Sequence, residues 1–195
     1  MEPEFIIDIS LTEIIGKAGL AAALELAWVC QFPLSESRFQ TGSDTDFHPM
    51  TRALETLYGS QVGAGIAYRA GRVSFKYFLA VFGAKLGFSD LDFRLLPLNK
   101  RKMEGLFRIS KEMFTAYGME STIRDEKTWI AVEIQNCVEC KGEKSLHPSC
   151  HFVAGFLQEY LAWMGGGRFF AVQETTCRAN GGSSCTFELS KQPLD

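Results

Sequence analysis

The stretch from Glu174 to Cys185 reads ETTCRANGGSSC, two cysteines separated by a turn-forming Gly181-Gly182 pair. A chain that reverses at those glycines sets Cys177 nearly opposite Cys185. Cys150, in HPSCHFVAGFL, falls in the first turn of a predicted helix, where the helix dipole favours the thiolate. Three thiolates on two neighbouring elements nearly complete a tetrahedral site of the kind zinc accepts, with one more ligand needed at about 2.0–2.3 Å. Glu174 is the nearest carboxylate. Its rivals are Cys137, Glu139 and Cys140 in NCVEC, and His147 and His151 on either side of Cys150. In a regular strand, a side chain three positions from Cys177 points to the opposite face, so Glu174 reaches the thiols only through a bend or bulge.

A zinc site closed by four protein ligands is structural, because a catalytic zinc keeps a position for water or substrate. No other catalytic set accompanies it. The stretch GAGIAYRAG lacks the third glycine and the preceding strand of a dinucleotide site. The His-x-Glu and Pro-Cys-x-x-Cys pair of nucleobase deaminases is missing. His48, His147 and His151 have no nucleophile nearby in sequence. An enzyme is therefore not expected.

The elements that must position these thiols follow from periodicity. SLTE at 10–13 has capping-box spacing, and Leu11, Ile14, Ile15, Ala18 and Ala22 share one face, so a first helix is expected to about Cys30. Residues 31–47 are polar and unpatterned and read as a long connection. Met50, Ala53, Leu54 and Leu57 then recur at helical spacing before Gly59. From Gly59 to Gly87 the composition stays helical despite Gly63, Gly65, Gly71 and Gly83, each costing about 1 kcal/mol against Ala. Small residues at that density let a second helix pack close. An amphipathic helix is predicted from Asn99, as N-cap, to Gly118, with Met103, Leu106, Phe107, Met113, Phe114 and Tyr117 on its stripe.

Beyond Gly118, STIR and TWIAVEIQNCV flank a turn at Asp125-Glu126-Lys127 and predict a hairpin. A helix from Pro148 to Gly165 follows, and RFFAVQETTC with SCTFEL forms a second hairpin. The order gives an α+β fold, helices packed on an antiparallel sheet built from two hairpins, in one globular unit. Within it, 1–47 supplies an N-terminal helix and connecting segment, and 48–190 the main domain.

At 195 residues the chain buries a core without help from a metal. A net charge of -3, with Lys100-Arg101-Lys102 as the only basic cluster, argues against nucleic acid as a partner. The start MEPEFIIDIS is acidic where a signal peptide is basic, and Glu13, Lys17 and Glu25 interrupt the next apolar stretch. No membrane span and a cytoplasmic location are expected, where reductants keep the six cysteines out of disulfides. Sixteen phenylalanines are an aromatic-rich complement; Phe78 and Phe82 on one helix with Phe107, Phe114, Phe152 and Phe156 on others are candidates to line an apolar pocket.

HPSCHFVAGFLQEYL followed by FAVQETTCRANGGSSCTFEL resembles the C-terminal signature of the 4-vinyl reductase domain family, across about 128–190. The resemblance implies a fold akin to small TRAPP subunits, a homodimer, and a pocket for a small hydrophobic molecule. In phenol-sensing relatives one Glu and three Cys hold a zinc ion; carried over, these are Cys150, Glu174, Cys177 and Cys185. Where the sensors read Trp-x-Asn-Ser-Phe-Glu, this chain reads Ile134-Gln135-Asn136-Cys137-Val138-Glu139. Ile134 offers no side-chain hydrogen bond, so Ile134 as a pocket residue implies larger, mostly apolar ligands. The sensors' ATPase and DNA-binding helix pair are not found, so signalling is expected through a partner protein or a dimer. The same resemblance leaves open an enzyme or accessory role in chlorophyll-type tetrapyrrole metabolism.

Overall fold

The computed structural model describes residues 10–17, 19, 47–115 and 117–194. The helices are α1 (10–17), α2 (Phe47–Tyr58), α3 (Ser60–Phe82), a one-turn α4 (Leu91–Arg94), α5 (Leu98–Ile109) and α6 (His151–Met164). The strands are β1 (Ser121–Asp125), β2 (Trp129–Ile134), β3 (Phe170–Thr176) and β4 (Cys185–Pro193). Both expected hairpins form, β1 with β2 and β3 with β4, and they join through antiparallel pairing of β2 with β4. The sheet order is β1-β2-β4-β3. The expected end of α1 near Cys30 and the 31–46 connection lie outside the described residues.

Gly59 takes a positive φ of 82° and separates α2 from α3, as its place at the end of the apolar repeat predicts. The glycines of α3 do allow a close helix crossing. A Cβ on Gly71 would run into the Phe152 carbonyl oxygen, and one on Gly155 into the Tyr68 carbonyl oxygen, so α3 and α6 meet backbone to backbone. Arg72 and Glu159 close the same crossing with an ion pair at 2.7 Å. On the far face of α3, the Ser74 hydroxyl donates to that of Ser10 (2.9 Å) and the Tyr77 hydroxyl to the Glu13 carboxylate (3.0 Å), which docks α1.

Two helix starts differ from the sequence expectation. Pro97, with φ -52° and ψ 142°, takes the cap of α5 and leaves Asn99 inside the first turn. Cys150 is the N-cap of α6, so Pro148 stands just outside it. The α5 stripe also changes phase. Lys102, Gly105, Leu106 and Ile109 are buried, and a π turn over Ser110–Phe114 then inserts one residue, which carries the buried position to Phe114. Phe107 lies off that face and is 48% exposed.

The main core lies between the sheet and the helices, with Ile130, Val132, Ile134, Phe187 and Leu189 facing Phe75, Phe78, Phe156, Leu157 and Tyr160. A second cluster of Leu11, Ala53, Leu54, Ile66, Ala67, Ala70 and Phe152 fills the space between α1, α2, α3 and α6. Lys102 is the buried cation of this fold. Its ammonium sits 3.6 Å from the centre of the Phe170 ring and donates to the Lys191 carbonyl at 3.0 Å. Burial, with Arg168 nearby, lowers its pKa from 10.5 to about 8. The unfolded chain thus holds this proton over a window in which the folded chain has lost it. The burial penalty is complete below pH about 8 and gone above about 10.5, so unfolding free energy should climb with pH across that interval. Lys102→Met is expected to flatten the climb, as read from urea unfolding at stepped pH; parallel profiles for the two proteins would count against it.

Candidate metal centre

Five cysteines meet at one end of the sheet. Cys137 and Cys140 lie in the loop after β2, Cys150 caps α6, Cys177 follows β3 and Cys185 opens β4. All five are free thiols and at most 2% exposed. The Sγ–Sγ distances are 3.5 Å for Cys137–Cys150 and 3.3 Å for Cys140–Cys185. They are 3.7 Å for both Cys150–Cys177 and Cys150–Cys185, and 3.8 Å for Cys177–Cys185. Thiolates bound tetrahedrally to one ion at about 2.3 Å lie ~3.8 Å apart, so the packing matches the edges of a metal tetrahedron.

Glu174 joins the thiols through the bulge its position demands. The β3–β4 register shifts between Glu174 and Thr176, which turns Glu174 and Cys177 toward the same end. One carboxylate oxygen of Glu174 accepts the Cys150 N–H at 2.8 Å; the other is buried with no hydrogen-bond partner. A buried carboxylate oxygen is costly to leave bare, and a cation among the thiols would satisfy it. Burial pushes the Glu174 carboxyl up to about 8. Among the thiols, hydrogen bonding, with Cys137 the foremost partner, draws Cys140 down and forces Cys150 and Cys185 up. Some thiolates therefore exist only while their neighbours stay protonated, unless a cation is present.

Two sets have ligand atoms all within 4.8 Å of one another: Cys150, Glu174, Cys177 and Cys185, and Cys137, Cys140, Cys150 and Cys185. The donor types and closeness of the first set fit a structural zinc ion. The rivals for the fourth place separate cleanly. Glu139 is committed elsewhere: its carboxylate accepts the N–H groups of Phe152 (2.7 Å) and Val153 (3.0 Å) and so caps α6. Burial raises its pKa well above the usual range against those two donors. His147 is exposed and belongs to neither set. His151 also stands outside both, and burial lowers its pKa.

The turn that presents Cys177 is tight. Gly181 has a φ of 94°, and the N–H groups of Asn180 and Gly182 both reach the Cys177 carbonyl, at 3.2 and 2.9 Å. The Arg178 N–H points at the Cys185 sulfur at 3.5 Å, the backbone donor a thiolate needs.

The segment that carries the thiols is a known domain. Residues 130–191 match the 4-vinyl reductase domain, the family expected from the sequence. The matched segment contains all five clustered cysteines, Glu139 and Glu174. A 4-vinyl reductase domain points to a small-molecule sensing or binding role. Comparison with curated proteins returns no match.

Beyond the matched segment the whole chain has structural likeness to H-NOX proteins. The Fe(II) unliganded H-NOX protein from K. algicida is 12% identical with a TM-score of 0.57, over 100% of this chain and 99% of that one. An S. oneidensis H-NOX protein in the Fe(II)NO ligation state is 12% identical with a TM-score of 0.56, over 98% and 99%. A T. Tengcongensis H-NOX mutant is 14% identical with a TM-score of 0.58, over 100% of each chain. At such identities the likeness is one of fold. The α+β architecture is thus carried by H-NOX neighbours, where the sequence resemblance points to TRAPP subunits.

The residues expected to line a pocket divide. Phe78, Phe114 and Phe156 are buried in the main core, and Phe82 packs against it partly exposed. The ring centres of Phe78 and Phe82 are 5.2 Å apart, and those of Phe78 and Phe156 are 5.6 Å apart. Ile134 is in that core too, but it pairs across the sheet with Cys185, beside the thiols. Phe152 belongs to the second cluster, and Phe107 faces outward. Among the described residues, no helix is long and apolar enough to cross a membrane.

Proposed function

We propose that this chain is a binding or sensory domain for a small, mostly apolar molecule, with a structural zinc ion held by Cys150, Glu174, Cys177 and Cys185. The observation that carries the reading is the 4-vinyl reductase segment folding those four ligands together, with one Glu174 oxygen buried and unpartnered. The ion would tie the tip of the β3–β4 hairpin to the start of α6. The ligand-binding unit spans 48–190 and acts as a homodimer or through a partner protein.

The aromatic group of Phe78, Phe82, Phe114 and Phe156 supports the ligand class, since its surface offers burial and no hydrogen bond. Apolar contact of this kind contributes ~25 cal/mol per Å² and favours large hydrophobic molecules over phenol. An environment-sensitive apolar dye should bind, and hydrocarbon-like or tetrapyrrole compounds should displace it at about tenfold lower concentration than phenol does, a difference near 1.4 kcal/mol. Phenol as the strongest competitor would return the domain to the aromatic sensors, and no dye binding would make the aromatic group plain core. A solvent extract of the purified protein, analysed by mass spectrometry, identifies any ligand carried along.

A further inference from the structure

One tetrahedral ion at Cys150, Glu174, Cys177 and Cys185 leaves Cys137 and Cys140 unused, yet these are the thiols that approach the shared pair most closely, at 3.5 and 3.3 Å. Their placement is built. Glu139, between them, is clamped by the Phe152 and Val153 N–H groups, so the loop is fixed to the same helix end that carries Cys150. The Ser145 N–H donates to the Ala179 carbonyl at 2.8 Å and holds the rest of the loop against the cysteine turn.

We propose that the centre is binuclear: two divalent ions of the zinc class share Cys150 and Cys185 as bridging thiolates. Glu174 and Cys177 complete the first ion; Cys137 and Cys140 complete the second. This rests on the first ion of the proposed function and adds the second. The two four-ligand sets overlap in Cys150 and Cys185, which is what two tetrahedra sharing an edge require. Every one of the six donors is then bound, and each ion has four ligands with no open position, the pattern of a structural site. Charge argues the same way. One divalent ion among five thiolates and a carboxylate leaves a buried charge of about -4, or forces thiols to stay protonated against one another; a second ion halves that charge. Thiolate donors select zinc-like soft cations over magnesium or calcium.

The test is metal stoichiometry on the full chain, purified under reducing conditions without added metal. Elemental analysis and native mass spectrometry should give two zinc ions per chain, and Cys137→Ser with Cys140→Ser should give one. Cobalt(II) added to metal-free protein should raise the thiolate charge-transfer absorption through two equivalents in the parent and one in the double variant. One ion in both proteins overturns the second site and leaves the first standing. No metal in the parent overturns both. Iron with acid-labile sulfide, or native Cys137–Cys150 and Cys140–Cys185 disulfides, also overturns the binuclear assignment. Should the double variant not fold, the parent's stoichiometry and cobalt titration still decide.

Discussion

Stripping the metal with a strong chelator is expected to lower the thermal unfolding midpoint by roughly 10 °C or more, and adding zinc back should restore it. At this chain length each 1 kcal/mol moves the midpoint by about 2–4 °C, so the expected loss is a few kcal/mol. That is a fraction of the ~10 kcal/mol or more that zinc contributes in small finger domains, because this chain has a core of its own. The loss arises because the loop after β2, the start of α6, the end of β3 and the start of β4 converge on the ligands and have little else to hold them together. Cys177→Ser with Cys185→Ser should show the lower midpoint without chelator and ignore its addition. A parent midpoint that moves by less than about 1 °C on chelation would sink the structural role of the ion.

Gly155→Ala and Gly71→Ala are each expected to destabilise the fold by about 3 kcal/mol, the upper range for overpacking. In both, the new methyl group meets a carbonyl oxygen of the facing helix, and a backbone carbonyl cannot swing aside as a side-chain tip can. The helices must separate, which strips contacts from both core clusters at once. The double variant should lose less than the sum, since one separation relieves both clashes. Gly65→Ala is the control: nothing lies within 4 Å of its Cβ position, and helix propensity alone should stabilise it by up to about 1 kcal/mol. Urea unfolding of the four variants gives the comparison, and a loss below about 1 kcal/mol at Gly155 would mean that the crossing is loose.

Local signals are readable where one residue type dictates backbone shape. Gly59, Gly118 and the Gly165–Gly167 run end helices where the periodicity stops, and the two hairpins close at the turns their polar residues mark. The bulge at Glu174 is readable from geometry alone, because carboxylate and thiol three apart cannot share a face of a regular strand. The π turn at Ser110–Phe114 is not. One extra residue in a helical turn leaves the composition intact, so in sequence Phe107 looks as buried as Leu106. The convergence of Cys137 and Cys140 on Cys150 and Cys185 depends on β2 pairing with β4, a long-range choice that no short window contains. The spacing of CVEC does mark the pair as metal-capable. The role of Glu139 as the cap of α6 is hidden for the same reason, since its partners Phe152 and Val153 lie beyond the loop.

Helix α6 is gripped at three stations along its length. Two carboxylates from different segments, Glu139 and Glu174, bind the N–H groups of its first turn, the Gly155 crossing pins its middle to α3, and Tyr160 near its far end donates to the Lys102 carbonyl at 2.5 Å. At 1.5 Å per residue its 14 residues make a strut about 21 Å long. Phe156, which touches Phe75 and Phe78, rides on that strut between the second and third stations. A rigid bar held in this way has no slack. Whatever wedges the aromatic rings apart must tilt or slide the whole bar, and the cysteine end, the best anchored of the three, becomes the fulcrum against which that displacement is levered toward α3.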